Sequence, residues 1–306
     1  MPRLVLPQDP RRFVPTAARP VRAKARHLDP DTEIQPHSHA WAQVAMAVSG
    51  VARITARHLP SAAPGARRPE RAGAALRAHS TYLVPSGRAV WIPPHVEHVV
   101  TVVEAAELRT LYIHQPAGLA GPGVATALGG AAPEAADVSP WRSCRVLEVS
   151  ALLREVVMQM DIEMDGVHKP TPELLARERR LGELALDELR RAAPVKLGIE
   201  LPQDKRLRAL CEAVLDAPSR HATLQGWALE AGASERTVAR LFRQELGTTF
   251  AAWRQQVLLA KALALAARKR PMAHIAAELG YASPSAFTAM VTRSVGMPPS
   301  RFFHSG

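Results

Sequence analysis

Trp227–Thr249 reads WALEAGASERTVARLFRQELGTT, and Ile275–Pro299 reads IAAELGYASPSAFTAMVTRSVGMPP. Both strings share one plan: a short apolar-patterned helix, a Gly-centred turn, a Ser that starts a second helix, and a Gly that ends it. Ser234 corresponds to Ser283 and Gly247 to Gly296, each offset by 49 residues. In the first string the supporting helix is expected at about residues 224–231, with the turn at Gly232. Ser234 then caps the next helix, and Glu235 puts a carboxylate in its first turn. Val238, Leu241 and Phe242 take the inward side of that helix, which leaves Arg236, Thr237, Ala239, Arg240 and Arg243 for the other side. Arg236 and Arg240 are four apart and share a face. In the second string the supporting helix is expected at about residues 272–279, and Gly280 makes the turn. Ser283 and Pro284 form a cap followed by Pro at the first helical position. Phe287 and Val291 face inward, and Ser285, Ala286, Thr288, Ala289, Thr292 and Arg293 remain outside. Residues 250–268 read as one connecting helix of roughly 19 residues, about 28 Å long.

A supporting helix crossed over an exposed second helix is how many proteins present a helix to the major groove. Arginines on that helix bond guanine O6 and N7 or phosphates. The short side chains of the second copy suit thymine methyls and phosphates instead, so base discrimination is expected mainly from the first copy. A single copy reads equally well as an ordinary helical pair with Ser caps. Two copies joined by one helix point to double-stranded DNA. The charge balance agrees: the net charge is +11, and residues 200–306 carry 14 Lys and Arg against 8 Asp and Glu. Such a basic excess favours a polyanionic partner.

The string IAAELGYASPSAFTAMVTRSVGMPPSRF resembles the signature of the AraC/XylS family of bacterial transcription regulators. The preceding SERTVARLFRQELGTTFAAWRQQVLLAKALALA resembles the family's first helix-turn-helix and its linking helix. Val291 stands where Phe is usual, and Thr292 where Arg is common. The resemblance implies an all-α DNA-binding domain at 200–306, with two recognition helices in successive major grooves. It implies promoter DNA as partner, with RNA polymerase and a second copy of the chain as further ones. The implied DNA-contacting set is Ser234, Arg236, Thr237, Ala239, Arg240 and Arg243 in the first copy. In the second it is Ser283, Ser285, Ala286, Thr288, Ala289, Thr292 and Arg293.

Upstream, residues 30–115 read as β structure. AWAQVAMAVSGVARITA (40–56) has apolar runs suited to buried strands. TYLVPSGRAVWIPPHVEHVVTVV (81–103) is Val-rich and broken by Pro and Gly, and LRTLYIH (108–114) is a further strand candidate. Residues 58–78 read as a long surface loop, and 117–140 as partly irregular. Helical spacing of Val146, Val149, Leu152, Leu153, Val156, Val157 and Met160 predicts a helix over about 146–164. A second charged helix is expected over 173–193, and 194–202 as a linker.

His37 and His39 lie two apart, so on a strand they point to one face, and Gln43 follows on that face. Gly50 then makes a turn. The spacing His37-x-His39-x3-Gln43-x6-Gly50 resembles the first cupin motif, with Gln43 at the usual Glu position. Gly87-x5-Pro93-x4-His98 resembles the second, with His95 where Gly is usual. The resemblance implies a jelly-roll β-barrel over residues 1–140, followed by a helical linker or dimerisation segment at 141–199. The expected architecture is thus α+β and multidomain. Three imidazoles plus the Gln43 oxygen suit a divalent transition metal such as Zn, Ni, Fe or Mn. The competing reading is histidines hydrogen-bonded inside the barrel without metal. Trp41 and Trp91 line that cavity or serve as core aromatics.

The sequence thus describes a non-enzymatic regulator whose barrel senses a metal or small ligand. Two alternatives stand beside it: a metal-dependent, oxygenase-like cupin enzyme fused to a DNA-binding domain, and a weakly specific architectural DNA-binding protein. Cys144 and Cys211 form neither a disulfide framework nor a zinc-finger set, which suits a reducing cytoplasm. No long apolar leader or bilayer-spanning stretch is expected.

Overall fold

The computed structural model describes residues 4–7, 10–58, 78–116, 121–122, 139–167, 169–195, 198–295 and 298–304. The chain divides into two compact units, residues 1–56 with 84–196 and 305–306, and residues 57–83 with 197–304.

The strands of the first unit are Leu4–Leu6 (β1), Val21–Leu28 (β2), Thr32–His37 (β3), Ala42–His58 (β4), Ala78–Pro85 (β5), Arg88–Ile92 (β6), Glu97–Ile113 (β7), Arg145–Glu148 (β8) and Pro194–Val195 (β9). By this division Arg57–His58 of β4 and Ala78–Leu83 of β5 are counted with the second unit. The sheet runs β1-β3-β7-β4-β6-β8-β9, and β2 also pairs with β7. Besides β4, the long β7 serves two partners in turn: its first half pairs with β3, as in Ile34↔Val100, and its second half with β2, as in Arg22↔Tyr112. The expected separate strand at 108–114 is the second half of β7.

Two helices cover one face of this sheet. Ala151–Met158 (α1) is capped by Ser150, whose side chain accepts from Leu153 N. Pro172–Arg191 (α2) is capped by Thr171 and has Pro at its first position, Glu173 in its first turn and Arg190 and Arg191 in its last. Those charges complement the helix dipole. Leu153, Val156 and Val157 of α1 and Ala185, Leu186 and Leu189 of α2 bury against Val21, Val44, Trp91, Leu111, Ile113 and Leu147. Each large side chain so buried contributes about 1.5–3 kcal/mol. Gly182 permits the close approach of α2 to β2, since a Cβ there would sit 3.2 Å from Val21.

Four expectations are corrected here. The helix expected over 146–164 begins only at Ala151, because Arg145–Glu148 pairs with β6 as a strand. The linker expected over 194–202 contains β9 and a strand at Gly198–Leu201 (β10), each paired to a distant segment. His58 and Ala78 lie in strands, while the loop expected between them falls on 59–77, outside the described residues, as do 117–120 and 123–138. Gly50 makes no turn: β4 continues through it at φ 71°. The reason is the crossing with β7, where a Cβ on Gly50 would lie 2.1 Å from Ala105 O.

Gly50→Ala is therefore expected to destabilise the first unit by about 3 kcal/mol or more, combining left-handed strain with a backbone clash. Urea unfolding followed by circular dichroism checks this. A midpoint equal to the parent's would mean that the strands part at no cost.

The second unit is helical apart from the pairing of β10 with His79–Tyr82 of β5. Its helices are Lys205–Asp216 (α3), Leu224–Glu230 (α4), Glu235–Leu246 (α5), Phe250–Ala267 (α6), Met272–Glu278 (α7), Pro284–Val295 (α8) and Pro299–His304 (α9). Trp253 on α6 is buried and donates from Nε1 to Glu200 O at 2.8 Å, which ties α6 to β10. Phe242 packs on Phe250 and Trp253 in the centre of this unit.

Candidate functional site

The two near-repeats fold as two helix pairs, α4–α5 and α7–α8. Trp227 and Ala228 of α4 and Ile275 and Ala276 of α7 are buried, and the turns follow at Gly232 (φ 63°) and Gly280 (φ 79°). Each turn closes with the same bond, Ala233 N to Ala228 O in one and Tyr281 N to Ala276 O in the other. The second turn is one residue longer, so the supporting helices align at an offset of 48 and the second helices at 49. Ser234 Oγ accepts from Thr237 N at 3.1 Å, and Ser283 Oγ from Ala286 N at 3.2 Å. α5 ends at Gly247, whose φ of 62° is left-handed; Gly296 lies outside the described residues.

The buried positions agree with the expected inward faces. Val238 and Phe242 of α5 are buried, as are Phe287, Met290 and Val291 of α8, while Leu241 is half-buried. Arg236, Thr237, Arg240 and Arg243 are exposed on α5, with Ala239 half-buried. Arg240 Nη1 donates to Gln244 Oε1 at 2.6 Å, which extends the side chain along the helix. On α8, Ser285, Ala286, Ala289, Thr292 and Arg293 are exposed and Thr288 is half-buried. Val291 is fully buried at the position where a Phe was the expected type.

The first unit brings the three histidines together. His37 ends β3, His39 lies between β3 and β4, and His98 sits opposite His37 on β7. His39 is thus outside the strand on which it was expected, and the chain's bend after His37 turns it toward the others. The ring centroids of His37 and His98 are 4.2 Å apart, and one ring nitrogen from each of the three lies within 4.8 Å of the others. Each Nδ1 faces a backbone carbonyl: Gln35 O at 2.8 Å for His37, Trp41 O at 2.7 Å for His39 and Val96 O at 3.0 Å for His98. A carbonyl only accepts, so Nδ1 of His37 and of His98 carries the hydrogen and their Nε2 atoms present lone pairs. The Nε2 atoms of His37 and His98 are buried and have no hydrogen-bond partner among the described residues. His39 Nε2 lies 2.8 Å from Gln43 Oε1.

Burial lowers the pKa of all three rings, and burial together with the neighbouring His37 pushes His98 down to about 3. The rings are therefore neutral at pH 7, the state that ligates metal. Trp41 stacks on His39 with centroids 5.1 Å apart, whereas Trp91 is fully buried core on the helix-covered side. His95 adopts φ 63°, the left-handed conformation of the turn position where Gly is usual, and donates its N–H to His39 O.

Residues 227–305 match a protein family described as a helix-turn-helix domain. The HTH-type transcriptional regulator NimR of Escherichia coli is 29% identical over 224 residues, covering 73% of each chain. The arabinose operon regulatory protein of Salmonella typhimurium is 28% identical over 116 residues, covering 37% of this chain and 41% of that protein. Over these residues the chain is similar to transcriptional regulators of the AraC/XylS family. Among solved structures, the C-terminal domain of AraT from Geobacillus stearothermophilus matches at 21% identity, covering 34% of this chain and 87% of that one, with a TM-score of 0.32. The AraC/XylS family and these relatives are regulators rather than enzymes, so the oxygenase-like alternative is set aside. Among the described residues no helix is long and apolar enough to cross a membrane.

In the second unit the structure adds residues that sequence reasoning missed. A cavity of about 550 Å³ lies between α5, α6 and α8, lined by Arg243 and Arg293 together with Arg254, Gln255 and Tyr281. Arg254 and Gln255 sit in the connecting helix, whose apolar run concealed them.

Proposed function

We propose that this regulator binds promoter DNA sequence-specifically, with α4–α5 and α7–α8 acting as two helix-turn-helix motifs. The exposed arginine pair Arg236 and Arg240 on α5 is the observation that carries this reading. α5 reads base edges through Arg236 and Arg240, with Arg243 toward phosphate. α8 contributes fit and positioning through Ser283, Ser285, Ala286, Thr288, Ala289, Thr292 and Arg293. α6 has 18 residues and so spans about 27 Å, which is near the ~34 Å between successive major-groove faces.

The same proposal makes the first unit a cupin-type jelly roll that holds a divalent metal through His37, His39 and His98. Two buried, partnerless Nε2 lone pairs support a ligand there, because an unsatisfied buried polar atom costs about 1–3 kcal/mol. Gln43 supplies the fourth donor through Oε1, which lies beside His39 Nε2. Neutral imidazoles suit Zn, Ni, Fe or Mn, and such an ion, alone or with a small effector, shifts the balance between domain arrangements that differ in affinity for it. In this reading the protein works in the cytoplasm as a homodimer on DNA, in contact with RNA polymerase.

Elemental analysis of purified protein tests the sensor half. The parent chain is expected to carry about one transition-metal ion and the His37→Ala/His98→Ala double variant none. Metal retained by the folded double variant would remove these residues as ligands.

A further inference from the structure

We propose that Arg254 and Gln255 are positioning residues that set the separation of α5 and α8, and hence the operator spacing the protein accepts. This rests on the reading that both helices enter DNA. The two residues are adjacent on α6 yet serve opposite halves of the unit. Arg254 donates from both Nε (3.0 Å) and Nη2 (2.7 Å) to Pro218 O, which lies between α3 and α4. Two turns further along, Lys261 Nζ donates to Asp216 O at 3.3 Å, so the same side of α6 is held twice to the first half. Gln255 Nε2 donates to Ser294 Oγ of α8 at 2.5 Å, and that hydroxyl donates to Met290 O at 2.7 Å.

The register of α8 on α6 falls to these polar ties. α6 carries a long apolar surface, with Val257, Leu258, Leu259, Leu263 and Leu265 all buried. Apolar burial is non-directional and scales with area, so small rotations or slides of α8 along α6 change it little. Hydrogen bonds weaken steeply with angle and distance, so they penalise the same displacement. Arg254 also borders the second half: its guanidinium interacts with Tyr281 in the turn before α8, and both line the cavity between α5 and α8. Neither Arg254 nor Gln255 projects from a recognition helix, so their effect on DNA choice passes through geometry.

The test is selection from a randomised duplex pool by the full-length chain and by two single variants, Gln255→Ala and Ser294→Ala, which cut the same tie from opposite sides. The parent is expected to recover two sequence blocks at one separation. Both variants are expected to recover the same blocks with the separation spread over neighbouring base-pair steps. The parent's preference for its best separation over one a base pair longer should fall about fivefold, the effect of one hydrogen bond. General loosening of the fold would weaken both duplexes equally and leave that ratio unchanged. Gln255→Glu, whose carboxylate accepts from the Ser294 hydroxyl once that hydrogen turns away from Met290 O, should restore the ratio. A separation as sharp in both variants as in the parent overturns the positioning role. Recovery of a single block by the parent itself overturns the two-helix reading and the positioning role with it.

Discussion

Replacing Arg236 and Arg240 together by alanine is expected to weaken binding to a selected operator by about 2–6 kcal/mol, at about 1–3 kcal/mol for each base-reading side chain removed. Both side chains are exposed on α5 and four residues apart. Alanine is the best helix former, so the helix itself survives the change. Its N-terminus is held by the Ser234 cap, and its inner face by buried Val238 and Phe242. The weakening is therefore attributable to the missing arginines rather than to unfolding. Titrations at one fixed salt concentration, on the selected operator and on a scrambled duplex, separate base readout from charge. A base-reading pair loses affinity mainly for the operator. Equal loss on both duplexes would make the arginines phosphate ligands, and unchanged operator affinity would take α5 out of base readout.

Glu178→Ala is expected to cost the first unit about 3–5 kcal/mol, because it strands buried guanidinium charge. Arg22 is 0% exposed and Glu178 5%. The carboxylate accepts from Arg22 Nη1 at 2.7 Å and from Arg19 Nε and Nη2 at 2.8 and 2.7 Å. Burial raises the Glu178 pKa while the Arg19 guanidinium opposes the rise. This cluster fastens α2 to the start of β2, and Asp165 extends it by accepting from Arg19 at 2.9 Å. Glu178→Gln keeps an acceptor but not the charge, so a smaller loss is expected. Thermal and urea unfolding read both variants. Arg22 Nη2 also donates to Glu163 O at 2.9 Å, so a Glu178→Ala protein within about 1 kcal/mol of the parent would mean that Asp165 and this carbonyl suffice for both arginines.

The histidine cluster shows where sequence reasoning stops short. Strand alternation predicted one face for His37, His39 and Gln43, and the resemblance to the cupin motifs implied their convergence with His98. The actual route differs: β3 ends at His37, and His39 reaches the site from the following bend. Nothing in the spacing announces that every Nδ1 would meet a carbonyl and leave the Nε2 of His37 and of His98 without a partner among the described residues. Those carbonyls belong to Gln35, Trp41 and Val96, whose side chains carry no such signal.

What the sequence determined by itself is local and periodic. The two helix pairs, their Ser caps, the Gly turns and the outward arginines all arise within about 25 residues, where i,i+3 and i,i+4 neighbours decide which face is buried. What only the tertiary structure decided depends on partners far along the chain. Arg145–Glu148 and Gly198–Leu201 become strands because β6 and β5 lie beside them. Gly50 stays within β4 in a left-handed conformation, with the β7 backbone too close for a Cβ. Arg254 and Gln255 acquire their roles only when α3 and α8 arrive on two sides of α6. The reason is common to all of them: a strand edge, a backbone crossing or a polar tie draws its free energy from a partner whose distance in sequence no local pattern encodes.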